Sequence, residues 1–329
     1  MKTLLKLVLR LVVVLVVVAG GVYGWATMKD RALLARTIET HSVDFPVPFP
    51  LTEAEVAEVT QGYAAGAAEV TQAALDSVAL ARAVERGRHL TSARYACREC
   101  HGQDFGGGVM VDDPMIGTLH GPNITAGVGG RTADFTPADW DRIVRHGVLP
   151  NGHPAVMPSE EFRAMSDQEL SDIVAFIRSL PTMDGEEPPR RLGPLGTMLV
   201  AFGQIPLAAD MITDHNAPHA VTPPASEASA EFGEHLAGTC LGCHGADFAG
   251  GPIPGGDPSW PPAADLTPAG NLGTWTADQF ATLMRTGKRP DGTEVLAPMN
   301  ILMSFGQNMT DTEIQALFAY FQSLPPAPN

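Results

Sequence analysis

The sequence predicts an all-α protein in which one helical unit occurs twice behind an N-terminal hydrophobic segment. Three observations predict this. An uncharged, mostly Val, Leu, Ala and Gly run extends from Leu11 to Met28. Two later stretches repeat the same motifs at nearly the same offsets. Each stretch closes on a helix with a capping box and apolar residues at helical spacing, and long alternating strand patterns are absent.

The N-terminal run is close to the roughly 18–20 residues that one bilayer crossing needs. Lys2, Lys6 and Arg10 precede it, and Lys29, Asp30 and Arg31 end it. The basic leading edge should stay on the cytoplasmic side and place the body outside, in the periplasm. A cleaved signal with small residues near Ala19 and Ala26 is the competing reading, and it too exports the body. The retained single-pass anchor is preferred because the apolar run continues past a usual signal core.

After this segment (1–28) the chain divides into an Ala-rich helical extension (29–80), a first unit (81–182), a linker (183–228) and a second unit (229–329). In the extension, Ala57-Glu58-Val59-Thr60-Gln61 recurs as Ala68-Glu69-Val70-Thr71-Gln72. An eleven-residue period places both copies on one face of a helix. The linker's apolar stretch, Leu192 to Ala209, carries Gly193, Pro194, Gly196, Gly203 and Pro206, so it is expected along the domain surfaces and not across a membrane.

The repeat begins at Cys97-Arg98-Glu99-Cys100-His101-Gly102 and at Cys240-Leu241-Gly242-Cys243-His244-Gly245. Asp104-Phe105 and Gly106-Gly107 follow the first, Asp247-Phe248 and Gly250-Gly251 the second. Asn123 and Asp265 then stand 22 and 21 residues beyond the histidines (123 − 101; 265 − 244). Met157 and Met299 stand 56 and 55 beyond them (157 − 101; 299 − 244). Helices are predicted near 79–95 and 229–237, from Thr136-Pro137 and Thr276, and from the Ser166–Glu169 and Thr310–Glu313 boxes to Pro181 and Pro325.

Two cysteines three apart followed directly by histidine are the haem-attachment signal. The thiols can form thioethers with the two vinyl groups on one haem edge, and the histidine then lies under the iron. A zinc site would bring its second cysteine pair within roughly 15–20 residues, and here the pairs are 140 apart (240 − 100). A thioredoxin-like site needs a βαβ context that is missing. The motif therefore assigns two covalently bound haem c groups to Cys97, Cys100, His101 and to Cys240, Cys243, His244. A methionine as sixth ligand closes an iron and raises its potential. Met157, in Ala-Val-Met-Pro-Ser, is that ligand in the first unit, with Met165 as rival. Met299 is preferred over Met303 in the second, where Met309 occupies the place of Met165.

The other histidines are His41, His89, His120, His146, His153, His215, His219 and His235. None repeats between the units in this reading, and each is assigned to surface or packing; His120, His146 and His153 are the rivals for the first iron. Asn123, Arg145 and Arg285 are candidates for hydrogen bonds to haem propionates. The net charge of −16, with 37 acidic against 21 basic residues, excludes a general nucleic-acid binder. It suits redox partners with basic faces.

These motifs, with Gly121-Pro122-Asn123-Ile124-Thr125, Gly287-Lys288-Arg289-Pro290-Asp291-Gly292, Met157-Pro158-Ser159 and the Ser-Leu-Pro helix ends, resemble bacterial dihaem cytochromes c with two class I cytochrome c domains. They are also similar to the three-domain cytochrome subunits of membrane-bound alcohol and gluconate dehydrogenases. The resemblance covers about residues 80–326 and implies His/Met haems and an electron relay without substrate turnover. Its donor would be a dehydrogenase, a quinol-oxidising or a photosynthetic complex, and its acceptor another cytochrome or an oxidase. Asn300 in place of the usual Pro after Met299, and the 51–80 segment, depart from the pattern. The rival function is a dihaem cytochrome c peroxidase, which needs one open or displaceable iron site.

Overall fold

A computed structural model describes residues 2–327 apart from 42, 67–68, 186–187, 255, 258 and 302. A long helix α1 (Lys2–Ala35) is followed by α2 (Glu53–Ala65), α3 (Gln72–His89), α4 (Cys97–His101), α5 (Pro137–His146) and α6 (Asp167–Ser179). The linker carries α7 (Pro194–Ala201) and α8 (Ala208–Met211). The second unit contains α9 (Ala230–Ala237), α10 (Leu241–His244), α11 (Ala277–Thr286), α12 (Met303–Asn308) and α13 (Asp311–Ser323). The all-α expectation holds with one addition: β1 (Gly108–Asp113), β2 (Gly117–Gly121) and β3 (Arg191–Leu192) form a small antiparallel sheet in the order β1-β2-β3.

Helix α1 is long and apolar enough to cross a membrane. Its base is docked: Lys29 Nζ donates to the Ala201 carbonyl at 2.7 Å, Asp30 pairs with Arg190 at 2.9 Å, and Trp25 tilts against Phe202. The linker's apolar stretch thus folds as short helices, α7 lying against the foot of α1. The eleven-residue repeat does not lie on one helix. Gly66 caps α2, and the Thr71 side chain accepts from the Ala74 amide to start α3. Ala68 lies outside the described residues, and Glu69 to Thr71 stand ahead of α3. Helix α3 then runs unbroken through residue 80 into the first unit.

Each unit is organised around one helix crossing. Gly87 of α3 packs so tightly on α6 that an added Cβ would lie 2.0 Å from the Asp172 carbonyl oxygen. Gly233 of α9 packs on α13 in the same way, 2.0 Å from the Ala316 oxygen. Around the first crossing lies a core containing Leu90, Phe105, Trp140, Phe162, Met165, Leu170 and Phe176. Around the second lies one with Phe232, Phe248, Phe280, Met284, Met309, Leu317 and Phe321. The capping boxes occur as expected, with Ser166 and Glu169, and Thr310 and Glu313, satisfying one another's backbone amides.

The two units clasp each other through those same capping carboxylates. His235 Nε2 lies 2.9 Å from Glu169 across the interface, and His89 Nε2 lies 2.9 Å from Glu313. Counted from the crossing glycines, both histidines fall two residues on (89 − 87; 235 − 233), so they are equivalent positions after all. Arg94 stands between, 3.0 Å from Glu169 and 2.5 Å from Glu313, with its guanidinium over Phe232. Burial pushes the Glu313 carboxyl up, but hydrogen bonds from His89 and Thr310 and the Arg94 charge outweigh it and bring it down to about 2. A depressed carboxylate contributes stability above its unfolded value, roughly 4.3, and loses it as pH falls through the folded one. The clasp should therefore weaken between about pH 4.5 and 2, by on the order of 3 kcal/mol for this group. Small-angle scattering across that range should show the radius of gyration rising earlier in pH for Arg94→Ala than for the parent.

Candidate haem-binding sites

The two Cys-x-x-Cys-His segments leave their histidines with the same geometry, although Cys97 follows a left-handed Ala96 and Cys240 ends a 3-10 turn. Helices α4 and α10 each end at a glycine, Gly102 and Gly245, with φ of 81° and 79°. The chain then turns through a left-handed aromatic, Phe105 (φ 61°) and Phe248 (φ 57°). A bulky residue there is strained. Its neighbours fix it: the Phe105 amide donates to Gly102 and its carbonyl accepts from Ile124, while Phe248 does the same with Gly245 and Leu266. Each ring is buried, packed edge-on against the crossing helix at Phe176 and at Phe321.

The histidines are held alike. His101 Nδ1 lies 2.9 Å from the Pro122 carbonyl and His244 Nδ1 lies 2.8 Å from the Ala264 carbonyl. A carbonyl only accepts, so each Nδ1 carries the proton and each Nε2 presents a lone pair. Burial lowers both imidazoles' pKa against the opposing effect of those carbonyls, which favours the neutral form. That is the state in which imidazole binds a metal, with the second bond fixing tautomer and ring orientation. Burial also pushes the Cys97 and Cys240 thiols up to about 12.

A cavity of about 410 Å³ opens over the first motif. Its walls are mostly apolar and include Cys97, Cys100, His101, Met157, Trp140 and Ile173. Size and lining are those of a cofactor site with a few placed polar groups. Two thiols and one imidazole stand on one wall, and a thioether sulfur lines the same space. This donor set fits a covalently held haem. In the second unit Cys240 and Met299 both pack against the second core, as Cys97 and Met157 do against the first. Met303 instead starts α12, buried, close to where a Gly287 side chain would be.

The three candidate propionate partners make bonds within the protein. Arg145 is fully buried, bonded to Asp141 at 2.7 Å, to the Met165 carbonyl at 3.0 Å and ion-paired with Asp167. Asn123 gives its amide to the Met183 carbonyl and accepts from Thr125. Arg285 donates to the Gly306 and Met309 carbonyls and to Asp311. All three act as internal clamps of their loops. The arginines that do line the cavity are Arg131 and Arg190, with His120 and His153; no repeat marks them, so offsets from the cysteines could not select them. His146 is buried outside this lining.

Comparison with known proteins identifies the two domains. Residues 82–177 match the model of cytochrome c oxidase, cbb3-type, subunit III, and residues 230–325 match that of cytochrome c. The chain is a c-type cytochrome built of two cytochrome c domains, and it carries two covalently bound haem c groups. It is homologous to cytochrome c subunits of dehydrogenases and to a dihaem cytochrome. It is 29% identical over 253 residues, 69% of this chain and 52% of the relative, to the cytochrome c subunit of a quinone alcohol dehydrogenase from Gluconacetobacter polyoxogenes. It is 27% identical over 232 residues to a dihaem c-type cytochrome of Cereibacter sphaeroides, 64% of this chain and 73% of that one. A 100-residue stretch is 36% identical to the gluconate 2-dehydrogenase cytochrome c subunit of Pantoea cypripedii, 28% of this chain and 22% of that one. The chain spans about half the length of the alcohol dehydrogenase subunits it matches. Its general role is cytochrome c electron transfer.

Proposed function

We propose that the chain is a relay in which electrons pass between its two domains, on the periplasmic face of the cytoplasmic membrane, from a dehydrogenase or similar donor to another cytochrome or an oxidase. The observation that carries this is the placement of both cysteine motifs at the domain interface. Glu161 of the first domain reaches the second motif, where a Cβ added at Gly242 would meet its Oε1 at 2.1 Å; burial, and after it the Glu161 charge, raises the pKa of the Cys100, Cys240 and Cys243 thiols. Glu99, inside the first motif, accepts from Ser304 of the second domain at 3.0 Å. Both cysteine motifs therefore border one contact between the domains.

In this reading Cys97 and Cys100, and Cys240 and Cys243, hold the two haems by thioether bonds. His101 with Met157, and His244 with Met299, would ligate the two irons. Met299 is preferred over Met303 because it shares a core surface with Cys240. Bound haem supplies one-electron chemistry, tuned by axial ligand and burial. The residues fix His orientation through Pro122 and Ala264, exclude water with apolar walls and hold the two sites together through the Arg94 clasp. Lys2, Lys6 and Arg10, in the N-terminal turns of α1, support the orientation, and the dehydrogenase relatives support a place beside such an enzyme.

Two closed His/Met sites leave no position for peroxide. Mixing hydrogen peroxide with the mixed-valence and the fully reduced protein should give no saturable turnover. Rapid turnover together with a five-coordinate high-spin haem would replace the relay with a peroxidase.

A further inference from the structure

Outside the haem sites, the first domain, the linker and the segment after α1 meet at a cluster of three histidines and one aspartate. His41 comes from the segment after α1, Asp141 and His146 from α5, and His219 from the linker; one ligand atom from each lies within 4.8 Å of the others. His41 Nε2 and His146 Nε2 are each 3.8 Å from Asp141 Oδ2, and His219 Nε2 is 3.9 Å from Asp141 Oδ1. His146 Nε2 and His219 Nε2 are 3.4 Å apart. These separations are too long for good hydrogen bonds. The His146–His219 separation matches the roughly 3.4 Å edge of a tetrahedron whose corners lie about 2.0–2.1 Å from a central ion, and the carboxylate separations need to close by about half an ångström to reach it.

The surrounding bonds settle where the lone pairs point. His215 Nε2 lies 3.1 Å from the Ala209 carbonyl, so it donates, and its Nδ1 is left to accept from His146 Nδ1 at 3.1 Å. His146 Nε2 is then unprotonated. His219 Nδ1 lies 3.2 Å from the Arg163 carbonyl and donates to it, which leaves His219 Nε2 unprotonated as well. Two lone pairs thus face each other at 3.4 Å, an arrangement that repels unless a cation sits between them. Asp141, with a side chain 0% exposed, spends Oδ1 on Arg145, while its Oδ2 and His41 Nε2 are buried without a hydrogen-bond partner. Arg145 offsets one negative charge, and Asp167 brings a second.

We propose that His41, Asp141, His146 and His219 bind one divalent zinc ion, separate from the haem irons, that staples the segment following the anchor helix and the linker onto the first cytochrome domain. Three imidazole nitrogens and one carboxylate oxygen are zinc ligand types, and four protein ligands leave no open position on the ion. His215 and the Arg163 carbonyl are its outer shell, fixing both tautomers. Burial and the neighbouring cationic partners favour neutral imidazoles, with His146 pushed down to about 3 and His219 to about 4.

The test is elemental analysis of the full-length holoprotein in detergent, incubated with zinc sulfate and then gel-filtered. The expected result is one zinc per two irons. His219→Gln and His41→Gln should each weaken zinc binding by more than about a hundredfold, and His215→Gln, which does not touch the ion, by about 10–100-fold. Unchanged haem absorption in each variant shows that the fold has survived. Removing zinc with a chelator should lower the melting temperature of the parent and leave that of His219→Gln unmoved. Substoichiometric zinc in the parent, or equal zinc retention in all three variants, overturns the proposal.

Discussion

The Met157→Ala variant should lose the axial sulfur at one iron only. The potential of that haem should fall by a sizeable part of the roughly 0.8 V over which axial ligands set haem potentials, while the other stays in place. Met157 lines the same cavity as His101 and the first cysteine pair, so no other change is needed to open the site. Met299→Ala should do the same to the second haem. Spectroelectrochemical titration reads both. A variant with two unshifted potentials would remove Met157 from the iron, and an effect from Met303→Ala in place of Met299→Ala would shift the second ligand along the loop.

Gly87→Val should be the most damaging substitution away from the haems. The new Cβ would meet the Asp172 carbonyl oxygen at 2.0 Å, its carbon at 2.6 Å and Phe176 Cβ at 2.7 Å. Backbone lies in the way, so α3 and α6 must separate at Asp172 and Phe176. The cost should be on the order of 3–5 kcal/mol, at the severe end for a single change. Gly233→Val should act alike on the second domain through the Ala316 carbonyl. Gly62→Val, where an added Cβ meets nothing within 4 Å, should be nearly neutral. Chemical unfolding followed by haem absorption gives all three; a mild Gly87→Val would mean that the helix crossing is not what holds the domain.

Much of this architecture can be read from the sequence because the repeat carries it. Matched offsets from the histidine locate Phe105 with Phe248, Met157 with Met299, and the capping boxes, all of which obey local rules. What escaped is non-local or counted from the wrong origin. The chain takes ten residues from Gly87 to Cys97 and seven from Gly233 to Cys240 (97 − 87; 240 − 233). Counting from the cysteines therefore hides that His89 and His235 are partners in one clasp. The first domain spends the additional residues on a π-helical turn, Leu90–Arg94, which delivers Arg94 to both capping carboxylates.

Arginine at the end of α5 and of α11 suggested anion contacts. The structure spends Arg145 and Arg285 on the Met165 and Met309 carbonyls just ahead of the next helix, with Arg145 buried and Arg285 partly exposed. The cluster of His41, Asp141, His146 and His219 is spread over three segments of chain and obeys no spacing rule. The Ala-rich repeat failed as one helix because Gly66 and the Thr71 cap outweigh the composition around them.

The central claim is that both irons are closed by one histidine and one methionine. Near-infrared magnetic circular dichroism of the fully oxidised protein tests it most directly, since the low-spin charge-transfer band reports the axial pair. The account predicts His/Met bands with an intensity equal to two haems per chain, falling by half in Met157→Ala and by half in Met299→Ala. A high-spin signal, or a bis-histidine band from either haem in the unmodified protein, would contradict it.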